Sequence, residues 1–171
     1  MIASGTPTST APATTGTLSA PLPVAKPDMQ AAIDSGPFWP RIDPGQARLE
    51  MRLDGTVTPE RLRAALVEAV ALVTTDLDSW AQDKQAQGHT TLAETNTKTI
   101  DLVSLNVLRY RRAVYCYAAA NLAERMRNFD STAEGHKRAD ALTDPIDDHR
   151  RDGRWAVSDI LGETRTVVEL I

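Results

Sequence analysis

Apolar residues recur at three- and four-residue spacing through most of the chain beyond residue 58. From Thr58 to Gly88 the series Leu62, Leu66, Ala69, Val73, Leu77 and Trp80 makes one stripe over roughly five helical turns. Its start carries three signals: Thr58 as N-cap, Pro59 at the first helical position and Glu60 in the first turn. Gly88 marks its end. A second long helix is predicted over 104–129, where Val107, Tyr110, Val114, Ala118, Leu122, Met126 and Phe129 share a face. The run Ala118 to Ala120 on that helix lets another helix come close.

Ser131 and Glu134 have the spacing of a capping box and predict a third helix. Its continuation meets Asp144-Pro145. There the helix either kinks or gives way to a fourth, capped by Asp144 with Pro145 in its first turn. Ile146, Gly153, Val157 and Ile160 form the apolar stripe of this last part, and Gly162 supplies the stop. Upstream, Asp43 and Pro44 open a short helix, "PGQARLEMRL". Just before it, "GPFWPRIDP" puts Phe38 and Trp39 on an extended path fixed by prolines. Those rings bury themselves either on the chain's own helices or on a neighbour.

Two stretches break the helical pattern. "HTTLAETNTKTIDLVS" reads as a polar connection that Leu92, Ile100 and Leu102 tack to the core. "ETRTVVELI", residues 163–171, has the β-branched residues of a strand, with Val167, Glu169 and Ile171 alternating against Thr166, Val168 and Leu170. No second good strand is legible, so its partner is expected on another protein. The fold class expected is all-α: a small helical bundle, residues 37–162, with a strand-like tail at 163–171 and a low-complexity arm at 1–36. That arm is nearly all Ala, Ser, Thr, Pro and Gly, too poor in apolar surface to offset chain entropy.

Composition narrows the function. With 171 residues, 42% of them hydrophobic, the chain can bury one core. A net charge of −4 argues against gripping nucleic acid by its phosphates. Cys116 is the single cysteine, so no internal disulfide forms, and its setting in "AVYCYAAA" reads as a buried thiol. No apolar run is long enough to span a membrane and no secretion signal is present, which points to a cytoplasmic origin.

Chemistry-bearing clusters are sparse. His149 among Asp147, Asp148 and Asp152 suggests metal ligands, but a solvated helix of mixed charge accounts for it better, because a site needs three or four ligands converging. No phosphate loop, nucleophile elbow, dinucleotide fingerprint or zinc motif occurs, so neither an enzyme nor a cofactor is expected. "LRYRRAVYCY" mixes Arg109, Arg111 and Arg112 with tyrosines. Ion pairing to Glu60, Glu68, Asp76, Asp78 or Glu124, within or between subunits, competes here with DNA contact. Trp155 lies about 200° around its helix from Val157. It is covered either by a partner or by another helix of the same chain.

Taken in order, "FWPRIDP", "MRLDGTVTPERLRAALVEA", "YRRAVYCYAAANLAER", "DDHRRDGRWAVSDILG" and "RTVVELI" resemble the head completion (head stabilisation) proteins of contractile-tailed temperate phages, the products of their gene L. The resemblance covers about residues 37–171. It implies a structural virion protein of the head–tail neck, assembled in the bacterial host cytoplasm. Such an adaptor binds beneath the portal protein after packaging, in a ring of about twelve copies. It stabilises the DNA-filled head and forms the docking surface for the next neck or tail-terminator protein. DNA would pass through its lumen without sequence-specific binding. The portal-engaging role falls on the tail: Thr164, Arg165, Thr166, Val167, Val168, Glu169, Leu170 and Ile171. Phe38, Trp39, Arg111, Arg112 and Trp155 are the candidate interface residues. The competing reading is a DNA-binding packaging regulator that uses Arg109 to Arg112.

Overall fold

The computed structural model describes residues 28–53, 55–127 and 133–163, with only the backbone course of 127 and 133–144. Five helices carry the body: α1 (Pro44–Glu50), α2 (Pro59–Asp76), α3 (Asp78–Ala86), α4 (Leu105–Arg127) and α5 (Ala133–Leu161). Local chemistry sets their ends as expected. Asp43 Oδ1 accepts from the Gln46 N–H at 2.9 Å, and Thr58 Oγ1 from the Arg61 N–H at 3.3 Å. At the other ends Gly88 and Gly162 take φ of 94° and 78°. The His89 N–H then reaches the Lys84 carbonyl and the Glu163 N–H the Ser158 carbonyl, closing each helix with the six-to-one bond of a Schellman stop.

The stripe predicted from Leu62 to Trp80 forms, but not on one straight helix. The Thr74 hydroxyl donates to the Val70 carbonyl and the Thr75 hydroxyl to the Ala71 carbonyl, both at 2.8 Å. Two such back-bonds in succession bend a helix. Leu77, fully buried at φ −98° and ψ 1°, is the corner between α2 and α3. Trp80 therefore ends half-buried, with the Lys84 ammonium 5.8 Å from its ring centre.

The polar connection holds more structure than its sequence announces. Leu92–Thr95 is a 3₁₀ turn and Leu92 is buried, as expected of a tack to the core. Ile100 and Leu102 do the opposite. Thr99–Ile100 (β1) pairs antiparallel with Val103–Ser104 (β2). The two-residue turn between them, Asp101-Leu102, has φ of 53° and 62°. Both signs are those of a hairpin turn ordinarily built from Asn and Gly, which is why no turn signal was legible. Leu102 is 97% exposed at its tip. The described residues are thus mostly helical with one small two-stranded sheet, which the sequence reading did not find. The predicted tail strand at 164–171, Phe129 and the Ser131–Glu134 capping box all lie outside the described side chains.

α4 is the central helix. Its Tyr110, Val114 and Ala118 meet Leu62, Leu66, Ala69 and Val73 of α2 in a single core. α5 runs antiparallel along another side of α4 and makes the most extensive helix contact in the chain. It continues through Pro145, which sits on the exposed side, so the kink-or-break alternative resolves into one helix. Its stripe Ile146, Gly153, Val157 and Ile160 is buried as predicted. Gly153 is a point of close approach. A Cβ there would stand 3.1 Å from Cε2 and Cζ of Tyr117.

That contact yields a test. An exposed helical glycine replaced by alanine gains about 1 kcal/mol. Here Gly153→Ala is expected to gain nothing, and Gly153→Val to lose about 1–3 kcal/mol to overpacking. Urea denaturation of the single variants and of each combined with Tyr117→Ala checks it: the penalty should shrink when the ring is gone. Additive losses would show that the ring is not the obstacle.

Candidate interaction surfaces

The aromatic segment is spent on the chain itself. Ile33 and Ile42 exchange two backbone hydrogen bonds, at 2.8 and 3.0 Å, which folds 33–42 into a loop. Asp34 holds the loop closed by accepting from the Gly36 N–H and pairing with Arg41 at 2.9 Å. Those bonds hold its carboxyl below the usual range, the Gly36 N–H most of all. Phe38 is buried in the core, and Trp39 stacks on Tyr110 with centroids 5.2 Å apart and planes 19° from parallel. Such a stack adds about 0.5–1.5 kcal/mol to the burial. Of the two alternatives left open by the sequence, the rings lie on the chain's own helices, and only the half-exposed face of Trp39 remains for contact.

Two of the three arginines in "LRYRR" staple α4 to α5. Arg109 donates to the Asp159 carbonyl at 2.9 Å, and Arg112 pairs with Asp152 at 3.0 Å. Glu124 and Arg150 extend the ladder at 2.5 Å. The partners of Arg109 and Arg112 are none of the acids expected, Glu60, Glu68, Asp76, Asp78 or Glu124. α5 supplies them because it packs antiparallel beside α4, a juxtaposition that spacing along either helix does not reveal. Trp155 is half-buried, and the Arg151 guanidinium lies 4.8 Å over its ring while pairing with Asp148 at 2.7 Å. The DNA-binding reading needs these arginines free, and Arg109 and Arg112 are not.

Arg111 has a different setting. It borders a cleft of about 350 Å³ where the end of α1 meets α4 and α5. Arg52, Arg112 and His149 share the rim with Glu50, over a floor of Leu108, Tyr115 and Ala119. Neither Arg52 nor Arg111 has an ion-pair or hydrogen-bond partner through its side chain among the described residues. Arg52 also occupies an unusual backbone position. The Leu53 N–H bonds to the Arg48 carbonyl at 3.1 Å, so α1 ends in a Schellman stop whose left-handed residue is Arg52, at φ 52°. Glycine ordinarily serves there, and an L side chain costs about 1–2 kcal/mol.

Three other features complete the surface. An apolar groove of about 550 Å³ lies between the start of α2 and the end of α4, lined by Val57, Ala64, Leu122 and Met126 with Arg125 beside them. Met126, expected in the buried stripe, is 47% exposed in that groove. Burial pushes the Cys116 thiol up, with Asp152 adding to it, so it stays protonated near neutral pH. On the far side of α4, burial raises the Tyr117 phenol, and the nearby Asp76 carboxylate raises it further. Among the described residues no group of three His, Cys, Asp or Glu side chains is placed to hold a metal ion, and no helix is long and apolar enough to cross a membrane. The residues assigned to the tail, Thr164 to Ile171, are outside the described part.

Comparison with known proteins comes down on one family. The family described as phage head completion protein (GPL) matches residues 33–171. The chain is similar to the head completion/stabilization protein of Escherichia phage P2, with 42% identity over 134 residues covering 78% of this chain and 79% of that one. No solved structure matches. The match begins at Ile33, the residue that pairs with Ile42 to close the Phe38 loop.

The buried tyrosines yield a prediction about alkaline pH. Tyr115 is pushed up to about 12, first by burial and then by Glu50 and Asp43 against the opposing Arg111. The folded chain therefore keeps its phenol neutral while the unfolded chain ionises near pH 10, so stability present below pH 10 is lost between pH 10 and 12. The loss from Tyr115 is on the order of 2 kcal/mol. Denaturation curves across that window should show Tyr115→Phe with a shallower slope than the unaltered chain. Equal slopes would refute the assignment.

Proposed function

The chain belongs to the phage head completion protein (GPL) family, and from that premise we propose that it is a structural component of the phage neck. It binds beneath the portal protein once the genome is inside, holds the filled head closed and offers its distal face to the next neck or tail protein. Neighbouring copies stand side by side in a closed ring, with the DNA passing through its lumen. The single observation that carries this reading is the family match through residues 33–171.

The physical character of the chain suits such a post. A ring wedged between a pressurised head and a tail needs stiff subunits, and here one core is shared by α2, α4, α5 and the Phe38 loop. Arginine staples fix α5 against α4. Attachment then falls to a segment beyond the body. Residues 164–171 follow the Gly162 stop, have strand character, and reach about 26 Å when extended. Adding as a strand to an exposed sheet edge of the portal satisfies their backbone groups and buries alternate side chains.

Removal of residues 164–171 tests this directly. The shortened chain is expected to keep the circular dichroism and thermal melting of the helical body while failing to join portal-containing heads. In phage lacking the natural protein, supply of the shortened chain should give heads that lose their DNA and accept no tails. Normal particle yield with the shortened chain would remove the tail from the mechanism.

A further inference from the structure

The cleft bounded by Arg52 and Arg111 is assigned no role by the family membership. Two guanidiniums without side-chain partners among the described residues stand over an apolar floor, and one of them, Arg52, is held at a backbone position that glycine would fill more easily. A left-handed arginine kept at a helix stop points to a task for its side chain. Glu50 is the one acid among the described residues that line the cleft, and an acidic pair lies elsewhere on the chain. Asp76 and Asp78 flank the α2–α3 corner, with Leu72 exposed one turn earlier at 43%. Leu72 shares a groove with Tyr117, whereas the cleft floor uses Tyr115 and Ala119. Residues two apart on a helix point about 200° from each other, so the basic cleft and the acidic corner face opposite ways from α4.

We propose that the cleft of Arg52 and Arg111 is a lateral docking site for a second copy of this chain, taking the Asp76–Asp78 corner of its neighbour. Opposed, complementary faces on one subunit make a head-to-tail contact, which is the kind that propagates around a ring. A duplex is the poorer occupant. Glu50 at the cleft repels phosphate, and Leu108 and Ala119 offer nothing to a phosphate chain but do suit the Leu72 side chain. The proposal deepens the ring reading above and rests on it.

Sedimentation velocity on the full chain tests it. The unaltered chain is expected to self-associate at about 50 mM salt and to weaken about tenfold or more at about 500 mM, as screened ion pairs do. Arg52→Ala with Arg111→Ala removes the cleft charges, and Asp76→Asn with Asp78→Asn removes the corner charges. Each double variant alone should be monomeric, with circular dichroism showing both still folded. Mixed, they should form one-to-one pairs and stop there, because one keeps a working corner and the other a working cleft.

A chain that stays monomeric at every salt and concentration overturns the proposal, as do variants that still self-associate or fail to pair when mixed. Duplex binding that is present in the unaltered chain and lost with the two arginines would overturn it in favour of a nucleic-acid site. Particle completion is scored separately in phage lacking the natural protein. Copies that pair as expected yet never enter heads support the docking site and overturn the neck reading instead.

Discussion

α4 has neighbours on several sides at once, and that constraint governs the rest of the molecule. The Phe38 loop and α2 cover the side of Tyr110 and Val114, while α5, through Gly153, covers the side of Tyr117. A helix so enclosed has to give each of its cations an acceptor or an opening, since a buried unpaired charge costs several kcal/mol. Arg109 and Arg112 take the first course through α5, and Arg111 takes the second at the cleft. The same enclosure explains the small residues. Ala113, Ala118, Ala120 and Gly153 are small where helices approach, and Tyr117 uses the room that Gly153 leaves.

A division of labour follows from this. The body is held by apolar packing and by short charge-assisted bonds between α4 and α5. The features that look outward sit at its margins: the exposed tip of the β1–β2 hairpin, the groove by Met126, and the basic cleft beside α1. The margins are what the packed body leaves open. Its outward residues are strained or apolar where a monomer would prefer them polar, as Leu102 and Arg52 illustrate.

Much of the skeleton was legible because local signals decide it. Asp43, Thr58, Gly88 and Gly162 set helix ends through bonds that span no more than a few residues, and sequence spacing is enough to find them. The stripes on α2, α4 and the second half of α5 were visible for the same reason. The bend at Leu77 was not, since it depends on which way Thr74 and Thr75 rotate their hydroxyls. The hairpin was hidden because Asp101 and Leu102 lack the turn chemistry that announces one. Phe38, a candidate interface residue by sequence, is covered by the chain's own core, because the sequence shows that an aromatic needs cover but not whose cover it gets.

What the sequence determined by itself was the inventory of helices, their caps and stops, their buried faces, and the order of motifs that marks the family. Those depend on interactions a few residues long, or on the identity of residues in a row. The tertiary structure decided which charges are spent and which remain. Arg109, Arg111 and Arg112 are near-equivalent in sequence, and they part ways only because α5 returns antiparallel alongside one face of α4 and α1 ends beside another. Partnership across forty or fifty residues is set by packing, and packing is a property of the whole fold.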